Sequence, residues 1–298
     1  MTHAMPETRF AGPGGPAVVE AVQVALDQVG RRSDPESWTI VEHGTSNVVA
    51  LAGDVAVRVA RSEMSGLEAR RAQHVIDALP SLPFSVPRSV GAPVHVNGVL
   101  AIVQERIHGD VHPAGPADPA ELAKLLEALR SVPLPPISAH LAVPRAYMGG
   151  NDWQSVLTSE VVPRLNRSVR GEALSRVESL AALESDPVSL CHGDLAGTNV
   201  LWRDGKIVGV LDWDLASPAD ITDDVASLAS WHGWESLGPF IDDQTANRAR
   251  TVAATHVLQP IAFTLLQERP PGELERAVAR ANTALAQELD VQTDVAVP

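Results

Sequence analysis

The chain has 298 residues, 45% of them hydrophobic and 20% charged, a composition that excludes a largely disordered protein. Its 37 acidic residues outnumber its 23 basic ones, which argues against a nucleic-acid partner because nucleic-acid binders present basic surfaces. No apolar run approaches the roughly 18 residues of a membrane span, and the first residues lack an apolar signal core. A lone cysteine, Cys191, leaves no internal disulfide. We therefore expect a cytoplasmic protein without a membrane partner.

The predicted elements divide the chain into a strand-rich first third and a helical remainder. We expect disorder over 1–15, helices over 16–30 and 62–79, and strands over 38–42, 48–51, 55–60 and 99–105. Asp118 then starts a further helix as its N-cap, with Glu121 completing a capping box. This order predicts an α+β fold with two lobes. The boundaries are an N-terminal lobe over 16–104, a hinge over 105–109 and a C-terminal lobe over 110–298.

The negative charge is uneven along the chain. Residues 1–104 carry a net charge of −2 and residues 105–298 carry −12. Such a charge suits a cationic partner or substrate of the second part, although solubility explains it equally well. Lysine occurs only at Lys124 and Lys206, so arginine supplies nearly all positive charge.

A hairpin is the strongest local signal. The Asp204-Gly205 pair between two apolar runs predicts a type I′ turn joining 200–203 to 206–209. In the simplest register Val200 faces Gly209 and Asn199 faces Val210.

Polar residues gather at the open end of this hairpin. Asn199 and Asp212 would leave the same end of the ribbon, within the reach of diagonal neighbours. An amide and a carboxylate oxygen at that spacing suit Mg²⁺, which fills its other positions with water and phosphate. Asp194, five residues before Asn199, could reach the same place across a loop.

The motif His192-x-Asp194-x-x-x-x-Asn199, followed by Asp212-Trp213-Asp214, resembles the signature of the aminoglycoside phosphotransferase family of small-molecule kinases. The resemblance implies a protein-kinase-like fold, with an antiparallel sheet and a helix in a small lobe and a large, mainly helical lobe. Residues 151–153 and 192–202 also resemble peptide-antibiotic (viomycin-type) phosphotransferases.

The resemblance implies a role for each motif residue. Asp194 would be the catalytic carboxylate that takes the acceptor's proton, and His192 would order the catalytic loop. Asn199 and Asp212 would hold Mg²⁺ on the nucleotide phosphates. Asp224 would anchor the loop through backbone N–H groups, as a structural residue.

The first lobe would bind ATP or GTP. Its phosphate-covering loop would include Thr45, Ser46 and Asn47. Arg58 occupies the strand position where the family has a lysine, and it would contact the phosphates. We expect Glu68 on the next helix to be the ionic partner of Arg58, with Glu63 as the alternative.

The remaining contacts follow from the same resemblance. The Glu105 carbonyl and the Ile107 N–H of the hinge would pair with the purine. Acceptor contacts are expected among polar and aromatic residues of the second lobe: Asp152, Trp153, Glu160, Trp231, His232 and Trp234.

Two further groups of residues resemble chemical sites, but we interpret both as structural. His108, Asp110 and His112 lack the spacing of a zinc motif, so we interpret them as a linker. Cys191 and His192 are neighbours on a strand and point to opposite faces, so Cys191 is expected to be a small buried hydrophobe.

The sequence thus predicts an Mg²⁺-dependent transfer of a γ-phosphoryl group to a hydroxyl of a small molecule, such as an aminoglycoside or a basic peptide antibiotic. The acceptor could instead be a macrolide or an endogenous metabolite such as an amino alcohol. A nucleotide-binding pseudokinase without activity is the alternative of another class, and Arg58 motivates it.

Overall fold

The computed structural model describes residues 13–42, 44–183, 188–195 and 197–295. Within these ranges the chain forms two compact units. The first contains the chain up to Val111 together with 136–140 and 200–214, and the second contains 112–135, 141–199 and the chain from Leu215 onward. The predicted division into successive lobes is therefore corrected, because the 200–203/206–210 hairpin packs with the first unit rather than the second.

The first unit is built on a five-stranded antiparallel sheet in the order β1-β2-β3-β5-β4. Its strands are β1 (Thr39–Val41), β2 (Asn47–Ala52), β3 (Val55–Ala60), β4 (Val94–Val96) and β5 (Val99–Glu105), and its helices are α1 (Gly15–Gln28) and α2 (Glu63–Ala78). These elements lie close to the predicted ones. The expectation of disorder over 1–15 falls on residues outside the described part up to residue 12, and Gly15 is helical.

Alternation along β3 separates two layers. Val55, Val57 and Val59 are at most 2% exposed and join the apolar face of α1 in one core. Arg58 points away from the valines because neighbouring side chains on a strand take opposite faces. β3 therefore packs one apolar face in the core and places one charged side chain, that of Arg58, on the opposite face.

A smaller sheet of three strands completes the first unit in the order β6-β8-β9. Its strands are β6 (Asp110–Val111), β8 (Val200–Arg203) and β9 (Lys206–Val210). Asp204 and Gly205 have φ values of 51° and 72°, the positive angles of the predicted type I′ turn.

The register of this hairpin departs from prediction away from the turn. Arg203 faces Lys206 as expected, but Val200 faces Val210 and not Gly209, because β9 contains a bulge. The Val208 carbonyl accepts the Ser85 N–H at 2.9 Å, and the Val210 N–H donates to the Ser85 carbonyl at 3.0 Å. The expected pairing of Asn199 with Val210 is therefore wrong, since contacts with a distant segment decide the register.

The second unit is mainly helical. Its α-helices are α3 (Pro119–Arg130), α4 (Trp153–Ser155), α5 (Arg170–Ala181), α6 (Thr222–His232), α7 (Trp234–Leu237), α8 (Asp243–Ala253), α9 (Gln259–Leu266) and α10 (Pro271–Val295). A turn with π-type bonding over Val156–Val161 follows α4. β7 (Ser189–Cys191) and β10 (Ser217–Ala219) form a two-stranded antiparallel sheet. No helix in the described ranges is long and apolar enough to cross a bilayer.

The α3 helix has the N-cap and the buried apolar stripe that its sequence predicts. The Asp118 carboxylate accepts the Ala120 N–H at 2.9 Å, which satisfies one of the unpaired donors at the helix start. The apolar stripe of Leu122, Leu125, Leu126 and Leu129 is at most 5% exposed. The helix thus contributes one continuous apolar face to the core of the second unit.

Truncating the centre of this stripe should destabilise the protein. Leu129 is completely buried, so we expect Leu129→Ala to lower the free energy of unfolding by about 2–5 kcal/mol through the cavity it leaves. Leu174→Ala, on the exposed face of α5, is the matched control and should change stability by less than about 0.5 kcal/mol. Urea denaturation measures both, and equal effects would contradict the proposed packing.

Candidate active site

A buried carboxylate anchors the loop that follows β7. Asp224, in the first turn of α6, is completely buried. Its Oδ2 accepts the His192 N–H at 2.8 Å, and its Oδ1 accepts the Gly193 N–H at 2.9 Å. These are the backbone contacts that the sequence analysis expected of Asp224. The two bonds fix the direction in which the loop leaves the strand.

His192 orders this loop from inside. Its ring is completely buried, and its Nδ1 accepts the Asp194 N–H at 3.2 Å. Such a contact sets the backbone at Asp194 and leaves no accessible imidazole for proton transfer. The neighbouring Cys191 is also buried, and burial raises the pKa of its thiol, so it is a poor nucleophile.

Asp194 and Asn199 form a pair within the second unit. The Asn199 Nδ2 donates to the Asp194 Oδ2 at 2.8 Å and to the Asp194 carbonyl at 2.9 Å. The amide therefore orients the carboxylate side chain and closes the loop between them. With Nδ2 used in this way, Oδ1 is the atom of Asn199 that could bind a cation.

The loop is also packed from one side by Trp231. A Cβ at Gly197 would lie 1.9 Å from Cε2 of this indole, so only glycine lets the ring approach the loop backbone this closely. The Trp231 Nε1 donates to the His112 carbonyl at 2.9 Å. Trp231 therefore packs against the loop that follows β7, and its contact with an acceptor stays a prediction.

His232 does not form part of an accessible surface. It is 1% exposed, and its Nδ1 lies 3.1 Å from the Gly115 carbonyl. Its ring meets that of His112 edge-on, with centroids 5.1 Å apart. The expectation that His232 contacts the acceptor is therefore corrected, because its ring is buried at the C-terminal end of α6.

The other predicted acceptor residues lie in the second unit with part or all of their side chains exposed. Trp153 lies under the Arg145 guanidinium at 4.9 Å, and Trp234 lies under that of Arg250 at 4.8 Å. Glu160 forms an ion pair with Arg164 at 3.2 Å. Asp152 is exposed at the start of α4. Contacts of these residues with an acceptor stay predictions.

A polar cluster beside Trp153 was not predicted. The Arg145 guanidinium lies 3.8 Å from the Asp223 carboxylate. Burial raises the pKa of Asp223, and burial together with the charge of Asp223 raises the pKa of Tyr147. Arg145 has a φ of 58°, which is rare outside glycine. No sequence motif marks these residues, since Asp223 lies on α6, far along the chain from Arg145.

In the first unit, the loop between β1 and β2 is held by an arginine that sequence reasoning missed. The Arg61 Nε donates to the Gly44 carbonyl at 2.9 Å, and its Nη2 donates to the Glu42 carbonyl. The expected phosphate-covering residues Thr45 and Ser46 lie within this loop, and Asn47 follows as the first residue of β2. Contact of this loop with a nucleotide stays a prediction.

Arg58 is buried between two carboxylates of the Asp-Trp-Asp segment. Its Nη2 lies 2.8 Å from the Asp214 Oδ2 and 3.4 Å from the Asp212 Oδ1. Burial lowers the pKa of a guanidinium, but these two carboxylates outweigh it and raise the pKa of Arg58. Arg58 thus keeps its charge in a dry environment.

The expected Arg58–Glu68 ion pair is wrong for the described residues. The ion pairs of Arg58 are with Asp212 and Asp214, whereas Glu68 lies half-buried on α2. Burial and the nearby negative charge of Asp214 raise the pKa of Glu68. The alternative, Glu63, is exposed in the first turn of α2. The packing of the Asp-Trp-Asp segment against β3 supplies the partner that the sequence assigned to the helix.

Two backbone N–H groups of the predicted hinge are already hydrogen-bonded within the first unit. The Glu105 N–H donates to the Arg88 carbonyl at 2.8 Å, and the Arg106 N–H donates to the Asp54 carbonyl at 3.0 Å. Ile107 packs on the backbone of Gly209. A Cβ on Gly209 would lie 2.4 Å from the Ile107 Cγ2. Purine pairing by the Glu105 carbonyl and the Ile107 N–H stays a prediction.

The donors available to a metal ion suit magnesium. Asp212 is half-exposed and has a φ of 57°, a conformation that aspartate tolerates better than most residues. A carboxylate such as that of Asp212 and an amide oxygen such as that of Asn199 are each ligands that Mg²⁺ accepts alongside phosphates and water. Within the described ranges no three His, Cys, Asp or Glu side chains form a metal cluster.

The sequence of this chain matches a known family over most of its length. A profile of the phosphotransferase enzyme family covers residues 37–261, and the chain therefore belongs to this family. Viomycin phosphotransferase of Streptomyces vinaceus is 34% identical over 126 residues, which are 38% of this chain and 44% of that protein. The match thus spans less than half the length of this curated relative. The predicted family is confirmed.

Solved structures show the fold. The GDP complex of an aminoglycoside 2'-phosphotransferase-IIIa superposes with a TM-score of 0.74 at 16% identity, covering 91% of this chain and 99% of the other. A macrolide 2'-phosphotransferase type I superposes with a TM-score of 0.66 at 18% identity, covering 88% and 96%. The predicted fold class, α+β and kinase-like, is confirmed.

The buried anchor predicts a pH dependence of stability. Burial, the largest influence, raises the pKa of Asp224 to about 7, although the N–H groups of Gly193 and His192 lower it. Above about pH 4 the folded protein keeps a proton that the unfolded chain has released, so this contribution to stability falls as the pH rises to about 7.

We expect Asp224→Asn to remove this dependence. The difference in unfolding free energy between wild type and variant should change by at most about 1.4 kcal/mol per pH unit between about pH 4 and about pH 7. Urea titrations across this range measure it. Asp204→Asn, at the exposed hairpin turn, is the control of identical chemistry. A pH-independent difference for Asp224→Asn would contradict the assignment.

Proposed function

We propose that the protein is an Mg²⁺-dependent kinase that transfers the γ-phosphoryl group of ATP or GTP to a hydroxyl of a cationic small-molecule antibiotic. The observation that carries this proposal is the loop held by Asp224, in which Asn199 orients the carboxylate of Asp194. Membership of the phosphotransferase enzyme family supports the reaction class.

In the proposed mechanism Asp194 orients the acceptor hydroxyl and accepts its proton. The acceptor oxygen forms a bond to the γ-phosphorus, and the bond from that phosphorus to the bridging oxygen breaks, so the nucleoside diphosphate leaves. Asn199 and Asp212 would hold Mg²⁺, which neutralises phosphate charge when bound. Arg58 adds a fixed positive charge on β3. Catalysis then comes mainly from positioning and electrostatics.

The charge of the second unit supports a cationic acceptor. Residues 105–298, which include this unit, carry a net charge of −12, and a negative potential of this kind attracts cationic ligands. Similarity to viomycin phosphotransferase favours a basic peptide antibiotic, and the fold shared with aminoglycoside phosphotransferases makes aminoglycosides the next class to test.

A mass-spectrometric screen tests the proposal directly. Wild type, Asp194→Asn and the exposed-turn control Asp204→Asn would be incubated with MgATP or MgGTP and with viomycin, kanamycin, a macrolide and simple amino alcohols. We expect one phosphoryl group on a cationic antibiotic with wild type and Asp204→Asn. Asp194→Asn should be slower by about 10²–10⁴-fold, the usual scale of general-base catalysis.

Other outcomes are equally informative. Undiminished transfer by Asp194→Asn would remove the catalytic role of that carboxylate. Transfer to a macrolide or an amino alcohol alone would overturn the assignment of a basic peptide or an aminoglycoside as the acceptor. Nucleotide binding by calorimetry that is indifferent to Mg²⁺, without transfer to any acceptor, would favour a pseudokinase.

A further inference from the structure

We propose that Asp214 is a positioning residue of the nucleotide site: it is the counter-ion that holds Arg58 in place and keeps the guanidinium from pairing mainly with the neighbouring Asp212. The functional consequence rests on the proposed function, whereas the ion pair itself does not. Asp214, at the end of the Asp212-Trp213-Asp214 segment, takes the place of Glu68 on α2, the ionic partner that was predicted for Arg58.

Distances and burial favour Asp214 over Asp212 as the main partner. The Arg58 Nη2 is 2.8 Å from Asp214 and 3.4 Å from Asp212. The side chains of Arg58 and Asp214 are 9% and 16% exposed, but that of Asp212 is 50% exposed. The shorter, drier contact is the stronger one. Asp212 therefore keeps an accessible carboxylate although a guanidinium lies nearby.

The backbone of Asp214 is held independently of its side chain. The Arg71 Nη2 donates to the Asp214 carbonyl at 2.5 Å, and its Nη1 donates to the His140 carbonyl at 2.9 Å. Trp213 is completely buried, and its Nε1 donates to the Val210 carbonyl at 3.0 Å. The segment is thus fixed by α2 and by its own strand, so Asp214 presents its carboxylate to β3 in one direction.

Removing this carboxylate would leave a buried guanidinium with only the weaker partner. An uncompensated buried charge is costly, and the remaining carboxylate is the one that binds the cation in the proposed function. Arg58 would then move toward Asp212 and compete with Mg²⁺. The loss should depend on Arg58 itself, because without the guanidinium there is no charge for Asp214 to neutralise.

A double-mutant cycle on the full chain tests the pair. The variants are Asp214→Asn, Arg58→Met and the double variant, with thermal unfolding in the absence of nucleotide as the first readout. We expect each single change to lower the melting temperature, and the double change to lower it by clearly less than the sum. The same cycle with Glu68→Gln in place of Asp214→Asn should be additive.

Calorimetric titration with MgATP gives the second readout. Asp214→Asn should weaken binding by about tenfold or more, the scale of a hydrogen bond between charged groups, and should raise the Mg²⁺ concentration needed for half-maximal binding. In the Arg58→Met background the same change should have little further effect. Asp214→Glu keeps the charge and should recover part of the loss.

The outcomes separate the two proposals. Additive effects of Asp214→Asn and Arg58→Met on unfolding, or a coupling of Glu68 to Arg58 as large as that of Asp214, would overturn the positioning role. If Asp214→Asn does not fold, the cycle is run with Asp214→Glu and Arg58→Lys, and additivity there would overturn it equally. Absence of nucleotide binding by wild type would refute the proposed function, while the unfolding cycle still decides on the ion pair.

Discussion

The loop that follows β7 in the second unit depends on a single buried carboxylate. Asp224 lies at the start of α6, with both oxygens bonded to successive backbone N–H groups after β7. Burial favours its protonated form, and the two N–H donors favour its charged form. This balance ties the geometry of Asp194 to the packing of a helix, because a shift of α6 would release both bonds at once.

The same logic of buried charge and fixed backbone recurs in the first unit. Arg58 remains charged in a dry site since two carboxylates lie beside it, and the backbone around them is held by Trp213 and Arg71. In each unit a charged side chain is held by complementary groups: backbone N–H groups hold Asp224, and carboxylates hold Arg58. Such pre-organisation lowers the cost of assembling a charged site when substrates bind.

Where the sequence analysis failed, the cause was a contact between distant segments. The hairpin turn was predicted because Asp-Gly specifies positive φ angles locally, but the register beyond it was wrong because Ser85 bonds to Val208 and Val210. The partner of Arg58 was wrong for a similar reason. Spacing along α2 offers Glu68, but only the packed structure brings Asp214 to the guanidinium.

The sequence by itself determined the family, the α+β order of elements and the motif residues of the loop that follows β7. Those features depend on local signals: periodicity, turn residues and the spacing from His192 to Asn199. Only the tertiary structure decided which side chains are accessible and which charges are paired. It buried His232 in a helix end and placed Arg145 beside Asp223. Burial and long-range pairing depend on how separate elements pack, and no local pattern in the chain encodes that.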